Sequence, residues 1–323
     1  MTIAMPIFFA EYLKLQSESL ILPSEKIGKH HTVKKKLKFI INPISGGKTK
    51  REIPELISKL IDPHEFEIDY SVTKSEKDTI HIAEAAKEEN MDAIIAVGGD
   101  GTINKIAQFL VGSNMALGIV PMGSGNGFAR ELGIPLIAEK ALKVINKFNV
   151  KTIDTGLINN QVFINVCGLG FDAHVSQLFE GSTTRGLKTY VRITLRELNS
   201  YRACNYQINI DDKEYSEDAF MLVICNGTQF GNNAFIAPKA QFDDGLFNIT
   251  LIKNINWLNA IRLTKNLFLK SLKDSDYAKT YEGKNITIKK IQAGPVNVDG
   301  EPVFFEGNIN VSLIPLSLKV IVP

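Results

Sequence analysis

Three glycine-rich turns hold the residues best suited to phosphate chemistry: Asn42-Pro-Ile-Ser-Gly-Gly-Lys48, Gly98-Gly-Asp-Gly-Thr102 and Gly123-Ser-Gly-Asn-Gly127. Glycine lets the backbone approach a ligand closely and take φ > 0, so successive N–H groups can point at phosphate oxygens. A helix beginning after such a turn adds its dipole. Asp100, between two glycines after an apolar run, is costly to bury without a partner, which places it facing ligand or solvent in a cleft. Its structural alternative is an N-cap for a helix over 103–110. Farther along, Asp299 and Glu301 flank Gly300 in VNVDGEPVF. A carboxylate there can act as a general base toward a hydroxyl, although D-G is equally a common hairpin turn. Asp154 in KTIDTG and Asp172 after a glycine pair are candidates for substrate contact or for plain turns.

Two familiar nucleotide signatures are absent. GxxxxGK[ST] fails because Asn42 stands where Gly47-Lys48-Thr49 would need glycine. The dinucleotide fingerprint fails after Gly123 and Gly125, where Phe128 replaces the third glycine. Gly168-x-Gly170-x-x-Ala173 matches its GxGxxA variant, but in a β-rich stretch without a βαβ unit, and is read as chance.

The turns need a scaffold that brings them together. LKFIINP, FEIDYSVT, DAIIAVGG and MALGIVPMG read as buried strands, and KREIPELISKLI, KDTIHIAEAAKEEN and TINKIAQFLVG as helices between them. That alternation predicts a parallel α/β sheet with ligands at the carboxyl ends of its strands. Near Asp154 the pattern changes to short β-branched runs, QVFINVCG, CNYQINI, FMLVICN, LFNITLI, KNITIKKI, VFFEGNINVSLI and LSLKVIV, separated by turn signals. These predict an antiparallel domain, with helical inserts around 185–200 and 257–273. The second insert spaces Trp257, Ile261, Phe268 and Leu272 among Arg262, Lys265, Lys270 and Lys273. It reads either as a core helix with a solvated face or as a basic amphipathic helix resting on an anionic bilayer.

With 323 residues, 44% hydrophobic and 22% charged, the chain suits two globular domains. A net charge of +2 gives no drive toward nucleic acid, although Lys26, Lys29, Lys34, Lys35, Lys36 and Lys38 gather near the start. Residues 1–35 read as a flexible basic extension. Three cysteines without a CxxC pair fit a reducing, cytoplasmic setting.

The ordered set INPISGGK, AVGGDGTINKIA, GIVPMGSGNGFARELGIP, DTGLINNQVFINVCGLGFDA, APKAQFDDGLFNI and NVDGEP resembles the diacylglycerol kinase catalytic family. That family includes the sphingosine kinases, ceramide kinase and the bacterial soluble lipid kinases. GGDGT alone is similar in NAD kinases and phosphofructokinases; DDGLF and DGEP separate the families. The likeness covers Lys36 to Pro323 and leaves the basic extension unread.

The resemblance implies an α/β N-terminal domain with a parallel sheet over 36–153 and a C-terminal all-β sandwich-like domain over 154–309. The segment from about 310 to 323 returns to the first domain, and the active site lies in the interdomain cleft. The implied activity is transfer of the γ-phosphate of ATP to a lipid hydroxyl, most simply of diacylglycerol or a related lipid. Asn42, Gly46, Gly47, Lys48, Thr73, Gly98, Gly99, Asp100, Gly101, Thr102, Gly123, Ser124, Gly125 and Asn126 would surround ATP, with Asp100 near the phosphates and their Mg²⁺. The base is Glu301 or Asp299, with Glu301 preferred. A structural Mg²⁺ takes the carboxylate of Asp244 and the main-chain carbonyls of Gln241 and Leu246. Asp154 and Asp172 stand as substrate-binding candidates. The implied partners are a lipid substrate and a transiently contacted membrane surface, with no nucleic acid, and a homodimer is an allowed assembly. Two alternatives are a catalytically silent lipid-binding protein, disfavoured by the intact GGDGT, GSGN and DGE elements, and a kinase for a soluble substrate such as NAD, disfavoured by the β-rich half and DDGLF.

Overall fold

A computed structural model describes residues 33–44, 52–183, 186–253, 255, 257–289 and 294–323; residues 34–323 form one unit. Gly46, Gly47, Lys48 and nearly all of the basic extension lie outside the described residues.

The apolar runs of the first half become β1 (Lys35–Ile41), β2 (Phe66–Val72), β3 (Ala93–Gly98) and β4 (Ala116–Pro121). They pair in the order β2-β1-β3-β4, all parallel. Every residue of β3 and β4 is buried, as a sheet covered on both faces requires. The covering helices are α1 (Ile53–Leu60), α2 (Glu76–Glu88), α3 (Asp100–Leu110), the single-turn α4 (Gly127–Glu131) and α5 (Ala138–Lys147). Ile103, Ile106, Ala107 and Leu110 follow helical spacing on α3 and are fully buried against the sheet, with Ile57 of α1 and Leu142 and Ile145 of α5 in the same core.

The second half supplies β5 (Val150–Ile158), β6 (Gln161–Phe163), β7 (Val166–Gly170), α6 (Phe171–Glu180), α7 (Leu187–Glu197), β8 (Cys204–Ile210), β9 (Lys213–Ala219), β10 (Met221–Cys225) and β11 (Phe247–Ile252). After them come α8 (Trp257–Phe268), β12 (Ala278–Gly283), β13 (Asn285–Lys289), β14 (Pro295–Val298), β15 (Glu301–Phe304) and β16 (Ile309–Ile321). The parallel sheet continues through β16 into β13, β8 and β9, and β5 pairs with β16 and β6. A second sheet, β12-β11-β10-β7-β14-β15, packs on that extension. Alternation decides which side each residue serves: Leu222 and Ile224 of β10 fill the layer between the sheets, while Val223 and Cys225 face the layer under α6, α7 and α8.

Two runs that read as single strands are divided between the sheets. QVFINVCG breaks at Ile164 and Asn165, whose amides bond a carboxylate instead of a ladder, separating β6 from β7. VFFEGNINVSLI breaks before Ile309, where Gly307 takes φ +71, separating β15 from β16. The N-cap reading of Asp100 is corrected: Gly99 is the N-cap, and Asp100 opens the helix itself.

Candidate active site

β3 runs through Gly98 and Gly99 directly into α3, so the first-turn amides of α3 open at the carboxyl edge of the sheet. Asp100 reaches across to the third glycine turn. Its Oδ2 accepts the Asn126 N–H at 2.8 Å, and its Oδ1 accepts the Gly127 N–H at 2.6 Å. The two loops approach so closely that only glycine fits: a Cβ on Gly123 would lie 2.6 Å from the Gly99 Cα, and one on Gly125 would lie 2.8 Å from Asp100 Oδ2. Asn126, at φ 52, folds the turn on itself by accepting the Gly123 N–H at 2.8 Å and donating to the Gly123 carbonyl at 2.9 Å. Arg130 Nε donates to the Gly125 carbonyl at 3.0 Å. Ser124 occupies the middle of this turn.

Asn42 leaves β1 beside the same edge. Its Nδ2 donates to Thr102 Oγ1 at 2.8 Å and its Oδ1 accepts the Ile44 N–H at 3.0 Å. Thr73, just past β2, is buried with its N–H on the Ile41 carbonyl at 2.9 Å. Asn42, Thr73, Gly99, Gly101 and Thr102 line one open cleft of about 320 Å³, together with Ile44, Lys74, Ser75, Thr79 and Lys105.

The acidic turn joins this edge from the second sheet. Asp299 sits between β14 and β15 at φ 50, and its carbonyl accepts Asn104 Nδ2 of α3 at 3.1 Å. Its carboxylate accepts three amides, from Ile164 at 2.6 Å, Asn165 at 2.9 Å and Val166 at 3.0 Å. Burial pushes the Asp299 carboxyl up to about 6, the three amides pull it back toward the charged form, and Glu301 adds to the rise. Glu301, two residues on, is exposed. The turn is backed by α6: Ser176 Oγ donates to the Gly300 carbonyl at 3.0 Å, and Asn297 links the Gly300 N–H at 2.9 Å to Asp172 Oδ2 at 2.7 Å. Asp172 is buried, and desolvation pushes its carboxyl up to about 6 against the Asn297 bond.

Asp154 lies inside β5, with Oδ1 on the Leu316 N–H at 2.7 Å and Oδ2 on the Gly245 N–H at 2.9 Å. It thus fills the irregularity in the β5–β16 pairing, where Leu316 takes φ 44. Gln241 and Asp244 are exposed on the adjoining loop, and Asp244 Oδ1 accepts the Leu246 N–H at 3.0 Å. No group of three or more His, Cys, Asp or Glu able to hold a metal occurs among the described residues. One carboxylate with two main-chain carbonyls is an all-oxygen donor set of the kind Mg²⁺ takes alongside water, so these residues fit that ion.

Several residues that hold the site were not singled out from sequence. Asn104 follows Asp100 by four positions and Lys105 follows Thr102 by three, helical spacings that could have marked them. Glu131 binds the second half with three bonds, from Thr228 N and Oγ1 at 2.8 Å each and from Gln229 Nε2 at 2.7 Å. Nothing in the surrounding residues signals that clamp.

A glycine-loop α/β half is continued by a shared sheet into a β sandwich whose acidic turn is tied to α3 through Asn104, while the cleft itself is lined from the α/β half. The chain belongs to the diacylglycerol kinase catalytic family and is a kinase. The model of the diacylglycerol kinase catalytic domain matches residues 36–158, and that of the YegS C-terminal NAD kinase beta sandwich-like domain matches residues 165–322. A protein of Chromohalobacter salexigens named "Probable lipid kinase YegS-like" is 31% identical over 261 residues, 78% of this chain and 83% of its own length. The diacylglycerol kinase of Bacillus subtilis (strain 168) is 30% identical over 277 residues, 83% of this chain and 90% of its own. A crystal structure described as a diacylglycerol kinase from Bacillus anthracis str. Sterne matches with a TM-score of 0.70 at 23% identity, covering 90% of this chain and 97% of that one. At that identity the likeness is one of fold.

Proposed function

We propose that the protein transfers the γ-phosphate of ATP to a lipid hydroxyl, with diacylglycerol or a closely related lipid as acceptor. The observation that carries this reading is the 3.1 Å bond from Asn104 to the Asp299 carbonyl. It holds the acidic turn of the second sheet against the helix whose first turn presents the glycine loop. In this reading the backbone amides of the loops grip the triphosphate, Asn42, Thr73, Thr102 and Ser124 orient it, and Gly46, Gly47 and Lys48 complete the cradle. Asp100 would stand beside a phosphate-bound Mg²⁺, which would supply charge neutralisation on the phosphate oxygens, and Asp244 with the carbonyls of Gln241 and Leu246 would hold a second, structural ion.

Glu301 takes the acceptor proton. The lipid O–H bond breaks as the new O–P bond forms, and the bond from the γ-phosphorus to the bridging oxygen of ADP breaks. Asp299, with three amides on its carboxylate, holds the turn rather than moving the proton. Asp172 and Asn297 fix the turn from behind at the substrate side, and Asp154 braces the junction below.

The test is transfer of label from γ-labelled ATP to a panel of diacylglycerol, monoacylglycerol, a sphingoid base and NAD. NAD is included because the second domain matches a sandwich described as NAD kinase-like. Lipid is expected to be labelled, and Glu301→Gln to lower kcat by at least about a hundredfold. Labelling of NAD alone, labelling of nothing, or full activity in Glu301→Gln would overturn the reading.

A further inference from the structure

Helix α8 carries its apolar side chains on the wrong face for a soluble helix. Surface helices of globular proteins turn their apolar stripe toward the core. Here only Leu263 is buried among the helix residues, while Trp257 is 60%, Leu258 65%, Ile261 55% and Phe268 55% exposed, and Leu269, just beyond it, is 62% exposed. Trp257, Ile261 and Phe268 form one row at helical spacing and Leu258 and Leu269 the row beside it, with Lys265 between these two, so the apolar groups share one outward stripe. Arg262 and Lys265 are exposed on the same side, and Lys273 is exposed beyond the end. The helix holds no acidic residue.

We propose that this outward face of α8 docks on an anionic lipid bilayer, deepening the lipid-kinase reading on which it rests by naming the surface through which the enzyme meets its substrate. Large apolar groups interleaved with cations match a bilayer boundary in both respects: the side chains enter the acyl edge and the cations meet anionic headgroups. Charge argues against a second copy as the occupant. A twofold contact through this face would gather Arg262 and Lys265 of both copies with no acidic residue on either helix to offset them. The helix is also joined to the nucleotide edge. The Leu267 carbonyl accepts the Phe235 N–H at 2.9 Å, and Lys270 lies 4.0 Å from the Phe235 ring centre. That same loop brings Gly231 against Gly127, where a Cβ on Gly127 would be 3.3 Å from the Gly231 Cα. Docking through α8 thus holds the cleft near the surface that contains the acceptor.

Trp257 is the chain's one tryptophan, so its emission reports this face directly. Full-length protein is titrated with phosphatidylglycerol and with phosphatidylcholine vesicles, with co-sedimentation measured in parallel. A blue shift and co-sedimentation with the anionic vesicles are expected, weakened by salt. Arg262→Glu with Lys265→Glu should weaken partitioning at least about tenfold, and Ile261→Glu with Phe268→Glu should abolish the shift while the thermal midpoint stays near the parent's. The proposal fails if the anionic vesicles leave emission unchanged, if the variants bind as well as the parent, or if the shift follows protein concentration without vesicles, which would mean self-association. Phosphate transfer to a dispersed short-chain lipid is measured alongside. Vesicle binding without any lipid phosphorylation would sink the kinase reading and leave the docking face standing; phosphorylation without vesicle binding would do the reverse.

Discussion

At the scale of single residues, four carboxylates near the cleft are sorted by what their oxygens touch. Asp100 and Asp299 each spend their oxygens on backbone amides, binding two and three of them. Asp172 has one amide partner from a side chain in a buried pocket, and Glu301 stands at the surface. The buried pair should leave a mark on stability. Folded Asp172 keeps its proton up to about pH 6, well above the ordinary value of 3.8, because burial disfavours the charge. The folded state therefore holds more protons than the unfolded one between those values. Stability from this group is full at low pH and is lost as pH rises through 6. Asp172→Asn removes that dependence. Denaturant unfolding from pH 4 to pH 7 should show the parent losing about 2–3 kcal/mol relative to the variant, and parallel curves would refute the assignment. Asp299→Asn has a different expected result. It places an amide donor among three N–H donors, so it should lower stability by about 2–4 kcal/mol as well as activity.

At the scale of elements, the carboxyl edge of the parallel sheet depends on two glycine turns packed face to face. Gly123 and Gly101 predict opposite outcomes for the same substitution. A methyl at Gly123 meets the Gly99 backbone at 2.6 Å, whereas one at Gly101 meets nothing within 4 Å. Gly123→Ala should separate the loops and lower the thermal midpoint. Gly101→Ala should leave the midpoint unchanged and raise the KM for ATP, because Gly101 lines the cleft. Calorimetry and initial rates distinguish them. The three turns, the parallel strands and the change to β-rich structure near Asp154 were legible in the residues because glycine clusters and apolar periodicity are local signals. The breaks at Ile164 and before Ile309 were not. They arise where the chain changes sheet, and the cause at Ile164 is a carboxylate 135 positions away in sequence. The outward stripe of α8 was visible as a pattern of apolar and basic residues, but which side faced the core depended on the sheet beneath it.

At the scale of the molecule, the two halves are connected by more than the chain. Glu131 of α4 holds Thr228 and Gln229, Asn104 of α3 holds the turn at Asp299, and Asp154 bridges Gly245 and Leu316. Glu131→Ala removes three hydrogen bonds to a charged group at once. It should cost about 2–4 kcal/mol and raise the KM for ATP, since α4 begins at the third glycine turn. An unchanged urea midpoint would show that the clamp contributes nothing. Apart from the helical spacing of Asn104 from Asp100, these links had no sequence signature, because each joins residues more than 90 positions apart whose types are ordinary.

The deepest connection is β16, which runs parallel to β4 near its end and antiparallel to β13 near its start. During synthesis the ribosome releases β4 about two hundred residues before that partner emerges. Until then the growing chain carries an open edge on its parallel sheet, and β13 waits on the other side of the same gap. Closure of both edges thereby waits for β16, and until it arrives the edge of β4 presents unpaired backbone groups to any other strand nearby.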